Sequence, residues 1–150
     1  MKLYLIRHGQ AEPGLPNDRS RQLTALGHAQ AAAAGAWLAA TLKQPATVWV
    51  SPFARTQQTA AAIAGALSTS IISQDVLIPD ASPQAVVEAL IERQQTMILV
   101  THLPLVGRLA TLLVDGSSHG RSWQPAEICE LQGDVFAAGC LEMTQTWLPA

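Results

Sequence analysis

The sequence has no excess of positive charge, few cysteines and no long apolar run, and each shortage removes a class of protein. Nine Lys and Arg stand against eleven Asp and Glu, a formal net charge of −2. The basic excess that nucleic acid or an anionic membrane surface attracts is therefore missing, and a small or protein-borne substrate is expected instead. Only Cys129 and Cys140 occur. With neither CxxC spacing nor a disulfide framework around them, both are expected as small buried hydrophobes. The N-terminus offers one lysine and then about four apolar residues before Arg7, too short for a signal peptide, and AAAAGAWLAA falls well below a membrane span. These features place the protein in the cytosol. The four histidines and two cysteines show no close ligand spacing, so no metal or other cofactor is expected. No repeat and no interdomain linker is visible. A chain of 150 residues with 49% hydrophobic content reads as one domain, 1–150, long enough to bury a core.

What is present is an alternation of strand-like and helix-like patterns. KLYLI (2–6) is an apolar run of the kind buried on both faces. Residues 9–22, with prolines, glycines, Asn17 and Asp18, form a loop. Thr24 is a fair N-cap for a helix over 25–42, with Leu26, Ala29, Ala33, Trp37 and Ala40 at helical spacing on its packed face. ATVWV (46–50) is a second strand, and a helix over 51–67 follows, with Ser51 as N-cap and Pro52 at its first position. A weaker strand near 70–77, a helix over 83–93, the strand TMILVT (96–101) and a helix opened by Pro104 come next. EICELQGD and AAGCLEMTQTW read as two antiparallel strands joined at Gly133-Asp134, closing one edge. The sum is an α/β fold: a three-layer α/β/α arrangement around a mostly parallel sheet with an antiparallel edge.

In such sheets ligands bind outside the carboxyl ends of the strands. Three apolar strands end there on polar residues: Arg7-His8, Ser51 with Arg55 one helical turn on, and Thr101-His102. Two arginines and two histidines at one rim suit a dianionic phosphoryl group, because guanidinium gives planar paired donors and permanent charge. Free backbone N–H groups near Ser51–Phe53 and near Leu103 would favour the same anion. No serine or cysteine lies in a nucleophile motif, which leaves His8 as the candidate. An imidazole attacks only when neutral, and flanking arginines disfavour its protonated form.

The stretches LIRHGQA (5–11), Asp18 and Arg21 with LTALG (23–27), SPFARTQQTA (51–60) and VTHLPLVGRL (100–109) together resemble the histidine phosphatase superfamily, also called phosphoglycerate mutase-like. Within it, the short chain and HLPLVG resemble the SixA-type phosphohistidine phosphatases, which lack the inserted cap of larger members. The resemblance implies that His8 attacks phosphorus and becomes transiently phosphorylated, with Arg7, Arg55 and His102 around the phosphoryl oxygens. Arg21 matches a loop position that adds a phosphate or substrate contact. No metal or cofactor is implied.

One departure bears on the substrate. Larger phosphomonoesterases of the superfamily place an acid after the third strand, where this chain reads VLIPDASPQA and offers only Asp80. Glu12, Asp18 and Asp80 are the acid candidates. The absence fits a phosphohistidine substrate, whose N-protonated phosphoimidazole releases neutral imidazole and needs less help than an alkoxide does. The expected function is dephosphorylation of a histidine on a partner protein, either a phosphotransfer domain or a phosphotransferase carrier. The alternative within the superfamily is a phosphomonoesterase acting on a small phosphate ester, and outside catalysis it is a phosphate-binding module. Taken singly, each residue also has a plain structural role: a strand-end histidine as a turn residue, Arg21 in a loop salt bridge, Trp37, Trp49, Trp123 and Trp147 in packing, His28 and His119 in solvent.

Overall fold

The computed structural model describes residues 1–14 and 17–150. Its strands are β1 (Lys2–Arg7), β2 (Ala46–Val50), β3 (Ile71–Ser73), β4 (Thr96–Thr101), β5 (Ile128–Gln132) and β6 (Glu142–Trp147), and its helices are α1 (Ala25–Thr41), α2 (Ala54–Leu67), α3 (Pro83–Leu90) and α4 (Leu105–Asp115). The sheet order is β3-β2-β4-β1-β5-β6. The pairs β2–β3, β2–β4 and β1–β4 are parallel, while β5 is antiparallel to β1 and β6 to β5. This is the expected three-layer α/β/α arrangement, parallel with an antiparallel edge.

Strand alternation divides the core. Leu3, Leu5, Met97 and Leu99 pack with Val86 and Leu90 of α3 and Leu105, Leu109 and Leu113 of α4. Tyr4, Ile6, Ile98 and Val100 pack on the opposite face with Ala34 and Leu38 of α1 and Ala60 and Ile63 of α2. The central strands thus point apolar side chains both ways, which is why they read as continuous runs rather than alternating ones. On β5 the buried Glu130 carboxylate accepts from Tyr4 Oη at 2.7 Å, Thr144 Oγ1 at 2.6 Å and Gln145 Nε2 at 3.0 Å. Burial alone would raise its pKa, but these bonds and Lys2 outweigh that and hold it down at about 2.

Three expectations are corrected. The packed face of α1 is Gly27, Ala31, Ala34, Gly35 and Leu38, one position on from the expected stripe, and Leu26 is 53% exposed. Alanine on nearly every side leaves no apolar stripe to read, so close backbone approach decides: a Cβ on Gly27 would lie 2.0 Å from the Gln10 carbonyl oxygen, and one on Gly35 3.0 Å from that of Ala62. Helix α2 starts at Ala54 with Phe53 at the N-cap position, not at Ser51, because the Phe53 backbone is still extended, with ψ of 148°. Cys140 is exposed while Cys129 is buried, since Cys140 falls in the surface connection between β5 and β6 and not in a strand. The loop expected over 9–22 holds a 3-10 turn at Asp18–Ser20, and its residues 15 and 16 lie outside the described residues. No helix among the described residues is long and apolar enough to cross a membrane.

Candidate active site

β2, β4 and β1 are neighbours in the sheet, and their carboxyl ends carry Ser51, His102 and Arg7-His8. The pairing continues past the strands, with His8 N donating to Thr101 O at 3.1 Å and Ser51 N to Val100 O at 3.1 Å. Residues far apart in sequence are therefore fixed on one rim by the sheet itself. The rings of His8 and His102 stand 5.3 Å apart, edge to face.

His8 is buried, 6% exposed. Its Nδ1 lies 2.6 Å from the Gly9 carbonyl oxygen, an acceptor, so Nδ1 carries the proton. Arg55 Nε donates to Nε2 at 3.3 Å, so the lone pair is on Nε2. Burial is the main reason that the His8 pKa falls from 6.5 to about 4, the Gly9 bond opposing and the charges of Arg55, Arg7 and Arg21 adding to the fall. The expected effect of the arginines is present, and dehydration of the ring exceeds it. His102, buried by Phe53 at 5.0 Å, is lowered still further, by burial first and then by His8 and Arg55.

A pH prediction follows. Unfolded, both histidines take up a proton near 6.5; folded, they do not. The unfolded state therefore binds more protons below that value, and stability falls as pH drops from about 6.5 towards 4. An NMR titration should show the His8 ring neutral from about pH 8 to about pH 5, and a midpoint at the ordinary value of about 6.5 would refute the buried neutral ring.

The motif SPFARTQQTA builds this site letter by letter. The Ser51 hydroxyl bonds His102 Nε2 at 2.8 Å and accepts from Phe53 N at 3.4 Å. The Ser51 and Phe53 amides are thus used within the protein and Pro52 has none, which corrects the expectation of free anion-binding N–H groups there. Thr56 Oγ1 donates to the Ser51 carbonyl at 2.9 Å and Gln57 Nε2 at 3.0 Å, fixing the turn. Gln58 Oε1 accepts from Leu23 N at 2.8 Å. Thr59 Oγ1 accepts from Gly9 N at 3.1 Å and donates to Arg55 O at 2.8 Å, joining α2 to the His8 turn. The sequence assigns these four consecutive residues no such scaffold role; the only signal for one of them is that Thr59 stands four and eight positions after Arg55 and Ser51.

Arg55 is 4% exposed. Besides His8, its Nη1 donates to Asp18 O at 2.7 Å and its Nη2 to Asp18 Oδ2 at 3.2 Å. Arg21 Nη1 reaches Asp18 Oδ1 at 3.1 Å, and its Nε donates to Glu12 O at 2.7 Å. Burial alone would raise the Asp18 pKa, but the bonds and charges of Arg21 and Arg55 together outweigh it, so its pKa is lowered. Arg7 Nη1 donates to the Trp123 carbonyl at 2.7 Å. Arg7 Nε and His102 Nδ1 are buried with no hydrogen-bond partner among the described residues, two polar atoms suited to oxyanion oxygens. The structure thus brings together His8, Arg7, Arg55 and His102, with Arg21 joined to Arg55 through Asp18. Of the acid candidates, Asp18 is in the site, whereas Glu12 and Asp80 are exposed, and neither carboxylate bonds a site residue among the described residues.

The chain is similar to known proteins in sequence and in fold. The family model for the histidine phosphatase superfamily (branch 1) matches residues 3–78. The phosphohistidine phosphatase SixA homolog of Haemophilus influenzae is 29% identical over 147 residues, covering 89% of each chain. SixA of Escherichia coli K12 is 29% identical over 126 residues, 79% of this chain and 77% of that one. Among solved structures, the protein histidine phosphatase SixA complexed with tungstate superposes with a TM-score of 0.88 at 26% identity, covering 99% of this chain and 97% of that one. A mycobacterial glucosyl-3-phosphoglycerate phosphatase shares the fold, with a TM-score of 0.74 at 17% identity over 99% of each chain. With the first half of its length matched by the family model and the paired histidines and arginines gathered on one rim, the chain belongs to the histidine phosphatase superfamily.

Proposed function

We propose that the protein is a phosphohistidine phosphatase of SixA type, acting on a histidine of a partner phosphotransfer protein through a phosphorylated His8. The family and its SixA relatives support a phosphatase. His8 Nε2 attacks phosphorus, the bond to the leaving nitrogen breaks, and the target imidazole, already protonated on its other ring nitrogen, departs neutral. Arg7, Arg55 and His102 hold the phosphoryl oxygens, with Arg21 at the edge. Water then attacks the phosphorus on His8, and orthophosphate leaves with the proton that water gives up. Metal and cofactor have no part in this scheme, which takes 1–150 as one catalytic domain in the cytosol.

The observation that carries the substrate assignment is the state of Asp18. The carboxylate bonded to Arg55 and Arg21 is held ionised, so it offers no proton to an alkoxide at neutral pH. A leaving group that departs neutral needs none. The test is a donor series with one enzyme: a protein phosphohistidine, an aryl phosphate and an alkyl phosphate. Turnover is expected to be fastest for phosphohistidine, slower for the aryl ester and slowest for the alkyl ester. An alkyl ester hydrolysed as fast as phosphohistidine would instead assign a small-molecule phosphomonoesterase.

A further inference from the structure

The segment 121–127, RSWQPAE, lies outside the residues that the family model matches, yet it is bound to the His8 motif at several points. It leads into β5, which runs antiparallel to β1 with Ile6 opposite Ile128, so it arrives where Arg7 and His8 leave the sheet. Arg7 N donates to Glu127 O at 3.2 Å, and Ala126 N to His8 O at 3.0 Å. Ala126 has φ of 60°, a left-handed conformation that residues with a side chain seldom adopt and that surrounding contacts must impose.

One peptide unit in this segment is held from both ends. Its carbonyl, that of Trp123, accepts from Arg7 Nη1 at 2.7 Å. Its N–H, that of Gln124, donates to Glu127 Oε1 at 2.9 Å. The other carboxylate oxygen, Glu127 Oε2, accepts from Arg121 Nη2 at 2.6 Å. The Arg121 guanidinium lies over the Trp123 ring, 4.6 Å from its centroid. Charges and dipoles alternate along this path: Arg121 cation, Glu127 anion, the 123–124 peptide with its N–H towards the anion, and the Arg7 cation at its carbonyl. Each link aligns the next. Glu127 itself is 7% exposed. Burial lowers the Arg7 pKa and the charge of Arg21 adds to this, whereas the Glu127 carboxylate opposes both.

We infer that Glu127 is a positioning residue for phosphoryl binding: through the Trp123–Gln124 peptide it fixes the Arg7 guanidinium, and Arg121 fixes Glu127. The inference rests on the reading that Arg7 grips the phosphoryl group. It gives a role to a buried carboxylate that the hydrolytic steps do not use. Glu127→Gln keeps the size of the side chain but removes the charge that aligns the peptide and pairs with Arg121.

The experiment is a double-mutant cycle of Arg7→Ala and Glu127→Gln, read by calorimetric titration of the folded protein with inorganic phosphate and by KM and kcat on the fastest donor. Glu127→Gln is expected to weaken phosphate binding about tenfold and to raise KM and lower kcat together, as a misplaced phosphate ligand does. In the Arg7→Ala background the same change should have almost no further effect. Arg121→Lys should restore much of what Arg121→Gln loses, because the lysine keeps the cation next to Glu127. Additive effects, or unchanged phosphate affinity in Glu127→Gln with only its melting temperature lowered, would overturn the inference and leave Glu127 a fold-stabilising residue. If Arg7→Ala itself leaves phosphate affinity unchanged, the underlying reading of Arg7 fails first, which separates the two. Should Glu127→Gln not fold, Arg121→Gln in the same cycle reads the same coupling, since the Arg121 side chain is 34% exposed.

Discussion

Replacing His8 with alanine is expected to abolish turnover, by about 10⁴-fold or more, and to leave inorganic phosphate bound within a few-fold of wild type. The two halves of this expectation come from different atoms. On the proposed mechanism the attacking lone pair is that of His8 Nε2, oriented by the Gly9 carbonyl at Nδ1 and by Arg55 Nε. The other imidazole of the site, His102, has its Nε2 bonded to the Ser51 hydroxyl at 2.8 Å. On the proposed mechanism, phosphate affinity comes instead from charges and donors that survive the change, those of Arg7, Arg55 and His102. Rapid quench after mixing with a labelled phosphohistidine protein should find acid-labile, alkali-stable label on wild type and none on His8→Ala. Full label on the variant would remove His8 from the nucleophile role. Absence of label on wild type from every donor, with phosphate still bound, would turn the reading towards a binding module.

What the sequence made legible divides along a physical line. ATVWV and TMILVT coincide with β2 and β4, because strands buried on both faces are apolar throughout and end sharply at polar residues. His8, Ser51 and His102 could be placed on one rim because parallel strands bring their carboxyl ends together whatever lies between them. The start of α2 is later than expected because Ser51 and Pro52 are good helix-start residues by type, while the backbone stays extended through Phe53 and places the Ser51 hydroxyl on His102. The face of α1 was misplaced because alanine carries no preference between two adjacent stripes. The groups that orient the site were the least legible: the carbonyls of Gly9, Trp123 and Asp18 are backbone atoms, available from any residue at those positions. Glu127 and Arg121 sat in a stretch with no periodicity at all, and their partner is a peptide unit rather than a motif.

Arg55 is where those two kinds of information meet, and its replacement is the second large effect. One guanidinium serves three directions: Nε to His8 Nε2, Nη1 to the Asp18 carbonyl and Nη2 to the Asp18 carboxylate. Arg55→Ala is expected to lower kcat/KM by about 10²- to 10³-fold, the scale for losing a preorganised donor to transferring charge. Phosphate affinity should weaken with it, because a buried cation facing the anion is gone. Arg55→Lys should recover little, since a single ammonium cannot reproduce donors set at fixed angles in one plane. The His8 titration supplies an independent readout: removing the Arg55 charge should move its midpoint up from about 4 by a modest step, because burial remains the larger cause of its depression. Wild-type kinetics in Arg55→Lys would show that charge alone suffices and that the fork geometry is incidental. A loss in both variants, with Asp18 and Arg21 still in place, would show that Arg55 sets the lone pair of His8 and the seat of the phosphoryl group together.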